Sequence, residues 1–477
     1  MIVNPYAHAD WAAIAPLLLV AGTALLVLFA DLVTPRGSKR YVSIAVGIAG
    51  LLVSAAFCAR GYGSDYSAFH GGFVLGGFAV VFEEIIVLST VLSVAFYGVI
   101  GRETRIAGAV ALMLWGASGA MLMAGSANLM TIFLGLEILS LALYCLCGLG
   151  DRPASRESAL KYLILSSTAS GFMLYGMALL FGASGDVTLA SLAVAGVAGS
   201  PLFWLGTGLL FVGIAFKLSL IPFHVWTPDV YEGAPLPVTA FMSVVTKAGT
   251  LAVFARFAYA VLPHAAAGHL LLPVWILAGV SMIGGNVAML SQTDMKRLLG
   301  YSGIAQAGYM VAALAGGSTL GLRYAVFYLA AYALMNMGAF AVVSILSGSG
   351  EEEASSLEAF RGLGKRRPAL AAAMTFFLLA LAGFPPTAGF LGKILILSST
   401  VSTGYAWLGF LLIAGTAVSL YAYFKVVRLM YDRGGKTAAE RGPVQPLAWL
   451  GLWACLAGVL ALTFYPLTPS NILPLLK

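Results

Sequence analysis

Charge is what this sequence has least of. Only 9% of its 477 residues are Asp, Glu, Lys or Arg, against about 25% in an ordinary soluble domain. A surface facing water cannot be covered at that density, whatever the fold. A soluble enzyme, a disordered chain and a nucleic-acid binder are therefore excluded. Cysteine is equally scarce: Cys58, Cys145, Cys147 and Cys455 all lie in apolar runs, with no CxxC and no His/Cys cluster. Neither a disulfide framework nor a metal site is indicated, and the four read as packing residues. A Walker loop, a dinucleotide fingerprint after a strand and an HExxH motif are also missing. Hydrophobic residues fill the chain instead, at 60% of positions.

Apolar stretches of about 20 residues, enough to cross ~30 Å of hydrocarbon, recur from end to end. Fourteen are read: 11–33, 41–59, 78–100, 106–124, 129–149, 158–182, 202–232 (interrupted), 237–262, 270–291, 298–316, 324–347, 368–400 (interrupted), 405–431 and 447–466. The first has no basic flank before it and is too long for a signal-peptide core, so it is expected to be retained. A barrel would need alternation in short segments, and these runs are apolar all round. The fold class is an all-α polytopic membrane protein.

Placing alternate loops on two sides puts 19 Lys and Arg on one side, from Arg36 to Arg441, and only Arg60, Arg256, Arg323 and Lys477 on the other. Cytoplasmic loops collect such residues, so the first side faces the cytoplasm. An even span count then puts both termini outside.

The chain also repeats itself. Leu160-Lys161-Tyr162 opens a span that later reads Phe172-Met173-Leu174-Tyr175-Gly176-Met177. Offset by 162 residues, Leu322-Arg323-Tyr324 opens another that reads Leu334-Met335-Asn336-Met337-Gly338. Each is followed by a span broken at proline, Pro222 in one case and Pro385-Pro386 in the other. Units of five spans, an odd number, must alternate in orientation. The expectation is two inverted five-helix repeats, each with a discontinuous helix of the kind that marks a transport site. The divisions expected are a three-helix segment at 1–105, repeats at 106–262 and 270–431, and a loop with the last helix at 432–477.

Three basic residues fit neither side. Lys217, Lys247 and Lys393 sit inside apolar runs, as does Glu137. A charge near the bilayer centre costs ~2.5–3.5 kcal/mol on insertion scales, so such residues face a bundle interior and carry function. At ~1.5 Å per residue, Glu137 lies about 12 Å and Lys247 about 15 Å into their spans. Lys217 and Lys393 each neighbour a helix break, where unpaired carbonyls and water can stabilise a proton. For Lys217, snorkelling to the interface is the plainer alternative. Glu83 and Glu84 lie near the outer end of their span, where interfacial and functional places are both open, and Asp31 reads as interfacial. Glu157 and Lys161 are spaced i,i+4: a helical salt bridge is the simple account, a proton relay the sharper one. His224 begins a polar insertion within apolar surroundings, and His8, His70, His264 and His269 read as solvated. The loop at 348–367 sets Glu351 to Glu353 against Arg361 and Lys365 to Arg367, a solvated surface and a possible docking face.

Several stretches then resemble one family. Phe223-His224-Val225-Trp226-Thr227-Pro228-Asp229-Val230-Tyr231-Glu232-Gly233-Ala234-Pro235, with Pro237-Val238 and Lys247, is similar to the signature of the N subunits of proton-pumping NADH:quinone oxidoreductase (respiratory complex I). So are Ala382-Gly383-Phe384-Pro385-Pro386 with Gly389-Phe390-Leu391-Gly392-Lys393, Ala159-Leu160-Lys161-Tyr162, and Lys296-Arg297-Leu298-Leu299 with Tyr301-Ser302. The resemblance covers essentially the whole chain. It implies a membrane-arm subunit of the bacterial inner membrane that translocates protons while electrons move elsewhere in the complex. Flavin and iron–sulfur clusters would belong to partner subunits, which include sister antiporter-like subunits; this chain would hold no cofactor, metal or quinone and bind no nucleic acid. Glu137 would match the carboxylate that pairs with Lys217, Lys247 the central relay residue, and Lys393 the residue toward the opposite exit. Glu157, Lys161, His224 and Asp229 would support them. Many relatives carry histidine where Gln306 stands, and glutamine takes up no proton, so that link would run through hydrogen-bonded water. A stand-alone cation/proton antiporter or solute carrier, and a non-pumping scaffold, are the other readings.

Overall fold

The computed structural model describes residues 7–98, 105–150, 152–194, 196–262, 272–347, 353–432 and 446–464. Three helices come first: α1 (Ala7–Val33), α2 (Lys39–Cys58) and α3 (Gly77–Phe96). Between α2 and α3 a small antiparallel hairpin joins β1 (Tyr66–Ala68) to β2 (Phe73–Leu75), with His70 exposed at its turn. Then follow α4 (Ile106–Gly125), α5 (Leu129–Cys147), α6 (Pro153–Ser184), the short α7 (Leu189–Leu192), α8 (Pro201–Leu218), α9 (Trp226–Gly233) and α10 (Leu236–Ala260). The second half holds α11 (Leu272–Met289), α12 (Met295–Ala313), α13 (Thr319–Ser347), the short α14 (Leu363–Arg366), α15 (Pro368–Ala382), α16 (Ala388–Ser402) and α17 (Ala406–Met430), and α18 (Pro446–Phe464) follows.

Twelve of these helices are long and apolar enough to cross a membrane. The α12 helix, with Lys296 and Arg297 in its first turn, and the shorter pair α15 and α16 complete the fourteen expected spans. Local chemistry sets their ends. The Asn128 side chain caps α5 by accepting from Met130 N, and Asp294 caps α12 by accepting from Lys296 N and Arg297 N. Proline begins α6, α8 and α15, where its missing N–H costs nothing. The α10 helix is enclosed on all sides and α13 nearly so, whereas α1, α2, α17 and α18 present large apolar side chains outward.

The two five-helix units are built alike. α4 crosses α5 where Gly119 meets Gly135, and α11 crosses α12 where Gly308 meets the Ala278 carbonyl and Gly285 meets Ala305. A Cβ on Gly119 would lie 2.7 Å from the Gly135 carbonyl, so only glycine permits that approach. Gly176 of α6 abuts Gly206 of α8, and Gly338, its counterpart 162 residues on, abuts Phe377 of α15. The breaks match even more closely. α8 ends with Ser219 N bonded to the Phe216 carbonyl and Leu220 N to that of Ala215; α15 ends with Gly383 N on Ala380 and Phe384 N on Leu379. Ser219 and Gly383 both take the left-handed conformation of a Schellman cap, at φ 63° and 81°. A cis prolyl bond follows each cap, at Pro222 and at Pro386.

One expectation about surface charge needs correction here. Lys296, counted among the surface charges that orient the chain, is fully buried: its Nζ lies 2.5 Å from Glu353 and donates to the Ala234 carbonyl at 2.8 Å. The loop that supplies Glu353 is thus not simply a solvated surface, because this acid reaches inward. Of the two places open for Glu83, the structure takes the buried one, where the thiol of Cys58 donates to its Oε2 at 3.2 Å. Cys58 is therefore a hydrogen-bond donor as well as a packing residue. Asp31 pairs with Lys39 at 3.1 Å at the half-exposed turn between α1 and α2, as an interfacial residue would. His264, His269, Glu351 and Glu352 lie outside the described residues, as does the side chain of His8.

Candidate functional site

The site is built from three buried lysines and the helix ends beside them. Lys217 occupies the last turn of α8. Its Nζ donates to Ser140 Oγ (2.7 Å), Ser166 Oγ (2.8 Å) and Tyr162 Oη (3.2 Å). Snorkelling is ruled out by this inward placement at 2% exposure. Lys247, midway along α10, donates to Tyr231 Oη at 3.3 Å and lies against Gly303 of α12, where Tyr332 Oη also arrives. Lys393 of α16 reaches back across the second break to donate to the Ala382 carbonyl at 2.9 Å, with its Nζ 4.8 Å from the centre of the Tyr309 ring.

Among the described residues, none of the three lysines forms an ion pair within 4 Å. The Glu137 carboxylate does not bond directly to Lys217; Ser140, one turn further along α5, does. Glu137 is near enough for its charge to act on Lys217, and its Oε1 is buried with no hydrogen bond among the described residues. An amine ringed by neutral oxygens and aromatic faces can gain or lose a proton without a salt bridge being broken.

Of the groups between the lysines, the sequence pointed to Gln306 but not to the tyrosines, Trp226 or Asn336. Tyr162 and Tyr231 flank Trp226 with ring centroids 4.7 Å and 6.1 Å from it, which links the surroundings of Lys217 to those of Lys247. On α13, Tyr328, Tyr332 and Asn336 follow at four-residue intervals and so share one face. Tyr332 donates to the Ser243 carbonyl, Asn336 to Ser243 Oγ, and Tyr328 to Gln306 Oε1. Gln306 Nε2 in turn donates to the Leu381 carbonyl at 3.3 Å. Adjacent carbonyls at the end of α15 thus receive Gln306 and Lys393, so Gln306 stands between the Tyr332 region and the second break. The signal for these residues was present: polar side chains recurring every fourth position in apolar spans, as in Tyr162/Ser166 and Ser243/Lys247.

The remaining candidates gather elsewhere. Lys161 bonds Glu157 at 2.7 Å and Asp229 at 3.1 Å, and Asp229 also accepts from Arg297 at 2.8 Å. These groups are partly exposed, so the simple salt-bridge account of Glu157 and Lys161 is the geometry observed, extended by Asp229. Lys161 points outward while its neighbour Tyr162 points to Lys217. The His224 ring lies 6.5 Å from the Tyr301 ring, with Nδ1 buried and unbonded among the described residues. Pro222, Pro385 and Pro386 sit at the two breaks with exposed side chains. Among the described residues no group of His, Cys, Asp and Glu is arranged to hold a metal ion.

Two like-built repeats, each with a broken helix beside a buried lysine, define an antiporter-like polytopic membrane protein. Residues 126–419 match the family described as NADH:quinone oxidoreductase/Mrp antiporter, transmembrane, and the chain belongs to that family. NADH-quinone oxidoreductase subunit N 1 of Symbiobacterium thermophilum is 40% identical over 96% of each chain. A chain of respiratory complex I from Thermus thermophilus with bound aureothin is 33% identical, with a TM-score of 0.79 over 95% of this chain and 98% of that one. A chain of the membrane-bound sulfane sulfur reductase, an archaeal respiratory membrane complex, has a TM-score of 0.86 over 98% of both chains at 24% identity, a likeness of fold alone.

Proposed function

We propose that this chain is the N-type membrane-arm subunit of a proton-pumping NADH:quinone oxidoreductase, and that it passes protons through Glu137, Lys217, Lys247 and Lys393. It would hold no redox group. Electron transfer in partner subunits would drive it, through conformational or electrostatic change. The observation that carries this reading is the run of three buried lysines, none in an ion pair within 4 Å among the described residues, bridged by Tyr162, Trp226 and Tyr231 on one side of Lys247 and by Tyr332, Tyr328 and Gln306 on the other. A scaffold would have no reason to bury three amines outside any direct ion pair, since an ion placed in a protein interior costs several kcal/mol. The units at 106–262 and 270–431 would act as the two halves of the path, with the cation-rich loops in the cytoplasm and both termini outside.

The test replaces Lys217, Lys247 and Lys393 singly by Met in the intact complex. Proton pumping and coupled NADH oxidation should fall while the complex still assembles with its flavin and iron–sulfur subunits. Normal pumping by an assembled Lys247→Met complex would sink the relay. Purification of the chain as a lone homo-oligomer would favour a stand-alone antiporter.

A further inference from the structure

One face of α17 takes no part in the proposed path. Phe410, Ile413, Ala417, Tyr421, Phe424 and Arg428 succeed one another at intervals of three or four residues, and all six are exposed. That spacing makes them one continuous stripe. It passes from apolar side chains to aromatic ones and ends on a cation. From Ile413 to Phe424 it covers about 16 Å at ~1.5 Å per residue, about the depth of one leaflet.

At its cationic end the stripe opens into a cavity of about 500 Å³ whose lining includes Arg361, Tyr421, Phe424, Lys425, Arg428 and Asp432. The acids there are already engaged: Arg361 bonds both Asp432 and Glu358. Lys425 donates to the Leu290 carbonyl at 3.1 Å, which pins its ammonium at the cavity rim. Arg428 makes no hydrogen bond or ion pair among the described residues. Among the described residues, Arg361, Lys425 and Arg428 thus face Asp432 and Glu358, and the surplus positive charge sits on the guanidinium that ends the stripe. Tyrosine with Lys or Arg at this depth is the usual chemistry of a membrane–water interface.

We propose that this cavity and stripe bind an anionic phospholipid of the cation-rich side. Its phosphate lies at Arg428 and Lys425, and an acyl chain runs along Phe424, Tyr421, Ala417 and Ile413. A free phosphate would use the same rim and ignore the stripe. A neighbouring subunit's helix would use the stripe and gain little from the rim.

The test uses the intact complex in nanodiscs, with phosphatidylglycerol or phosphatidylcholine carrying a photoreactive acyl chain, and maps labelled peptides of 406–432. The phosphatidylglycerol probe should label α17 more strongly than the phosphatidylcholine probe. Arg428→Gln, on the surface, should lower phosphatidylglycerol labelling about five-fold, the usual worth of one basic residue at an anionic surface, and leave phosphatidylcholine labelling unchanged. Lys425→Gln should act in the same direction. Equal labelling by the two probes in the unmutated complex would overturn the proposal, and that comparison needs no variant to fold. Unchanged labelling in Arg428→Gln would also overturn it. So would displacement by excess inorganic phosphate, or cross-linking of a photoreactive residue at Tyr421 to another subunit rather than to lipid.

Discussion

Gln306 and Lys247 occupy the same polar interior, yet replacing each should affect different properties. Gln306→Leu removes two side-chain bonds, one from the Tyr328 hydroxyl and one to the Leu381 carbonyl, and both partners are fully buried. Polar contacts between helices in membranes are worth about 0.6 kcal/mol on average and up to ~1.7 kcal/mol, so two of them amount to about 1–3 kcal/mol. Lys247→Met removes one long bond, 3.3 Å to Tyr231 Oη, and fills nearly the same volume. Its structural cost should therefore be near the lower average of ~0.6 kcal/mol. Two assays separate the effects: the thermal midpoint of the detergent-purified complex, and NADH-driven proton movement in inverted membrane vesicles. Gln306→Leu should lower the midpoint more, while the complex that survives keeps more pumping. Lys247→Met should leave the midpoint nearly unchanged and lose pumping. The opposite pattern, a thermally normal Gln306→Leu complex without pumping beside an active Lys247→Met complex, would refute both the assignment of Lys247 and the packing role of Gln306.

Further outcomes follow from the same geometry. Burial pushes the Glu353 carboxyl up, but Lys296, Arg152 and the Leu236 N–H outweigh it and hold it below the usual range. A carboxyl lowered on folding stabilises above its unfolded value of about 4.3, and that stability is lost as pH falls through the folded value. Glu353→Gln should therefore flatten the acid limb of a pH-dependent thermal scan. Lys296→Met, which leaves the carboxylate to Arg152 and the Leu236 N–H alone, should lower the thermal midpoint of the purified complex, at a cost below the ~3–5 kcal/mol of a fully unpaired buried charge. Gly389→Ala would set a Cβ 1.8 Å from the Ala380 carbonyl and should abolish assembly, judged by co-purification. Gly171→Ala, with nothing within 4 Å, should assemble normally in the same experiment.

Much of the fold was legible because its signals are local. A run of about 20 apolar residues identifies a span without reference to any neighbour, and proline inside such a run identifies a break. The inverted repeat was legible from the matched Leu160 and Leu322 segments, and the structure shows its physical form in the paired glycine crossings and the twin caps at Ser219 and Gly383. Lys296 was misread, and Glu83 left open, for one common reason. Both lie near the end of a span, where sequence position alone does not tell whether a side chain turns to water or inward. Lys161 turns outward into the salt bridge its i,i+4 spacing to Glu157 offered, and the inward turn of Tyr162 beside it is what sequence position left open.

The sequence by itself determined the solvent, the number of spans, the two breaks, and that Glu137, Lys217, Lys247 and Lys393 are out of place in hydrocarbon. Those conclusions rest on the cost of burying charge, which applies to each residue alone. Only the tertiary structure decided that hydroxyls rather than a carboxylate hold Lys217, that Gln306 ties Tyr328 to the end of α15, and that Glu353 crosses from a loop to meet Lys296. Such contacts join residues far apart in the chain, such as Ser140 with Lys217 and Gln306 with Leu381. A hydrogen bond depends on where two helices cross, and no local pattern specifies that crossing.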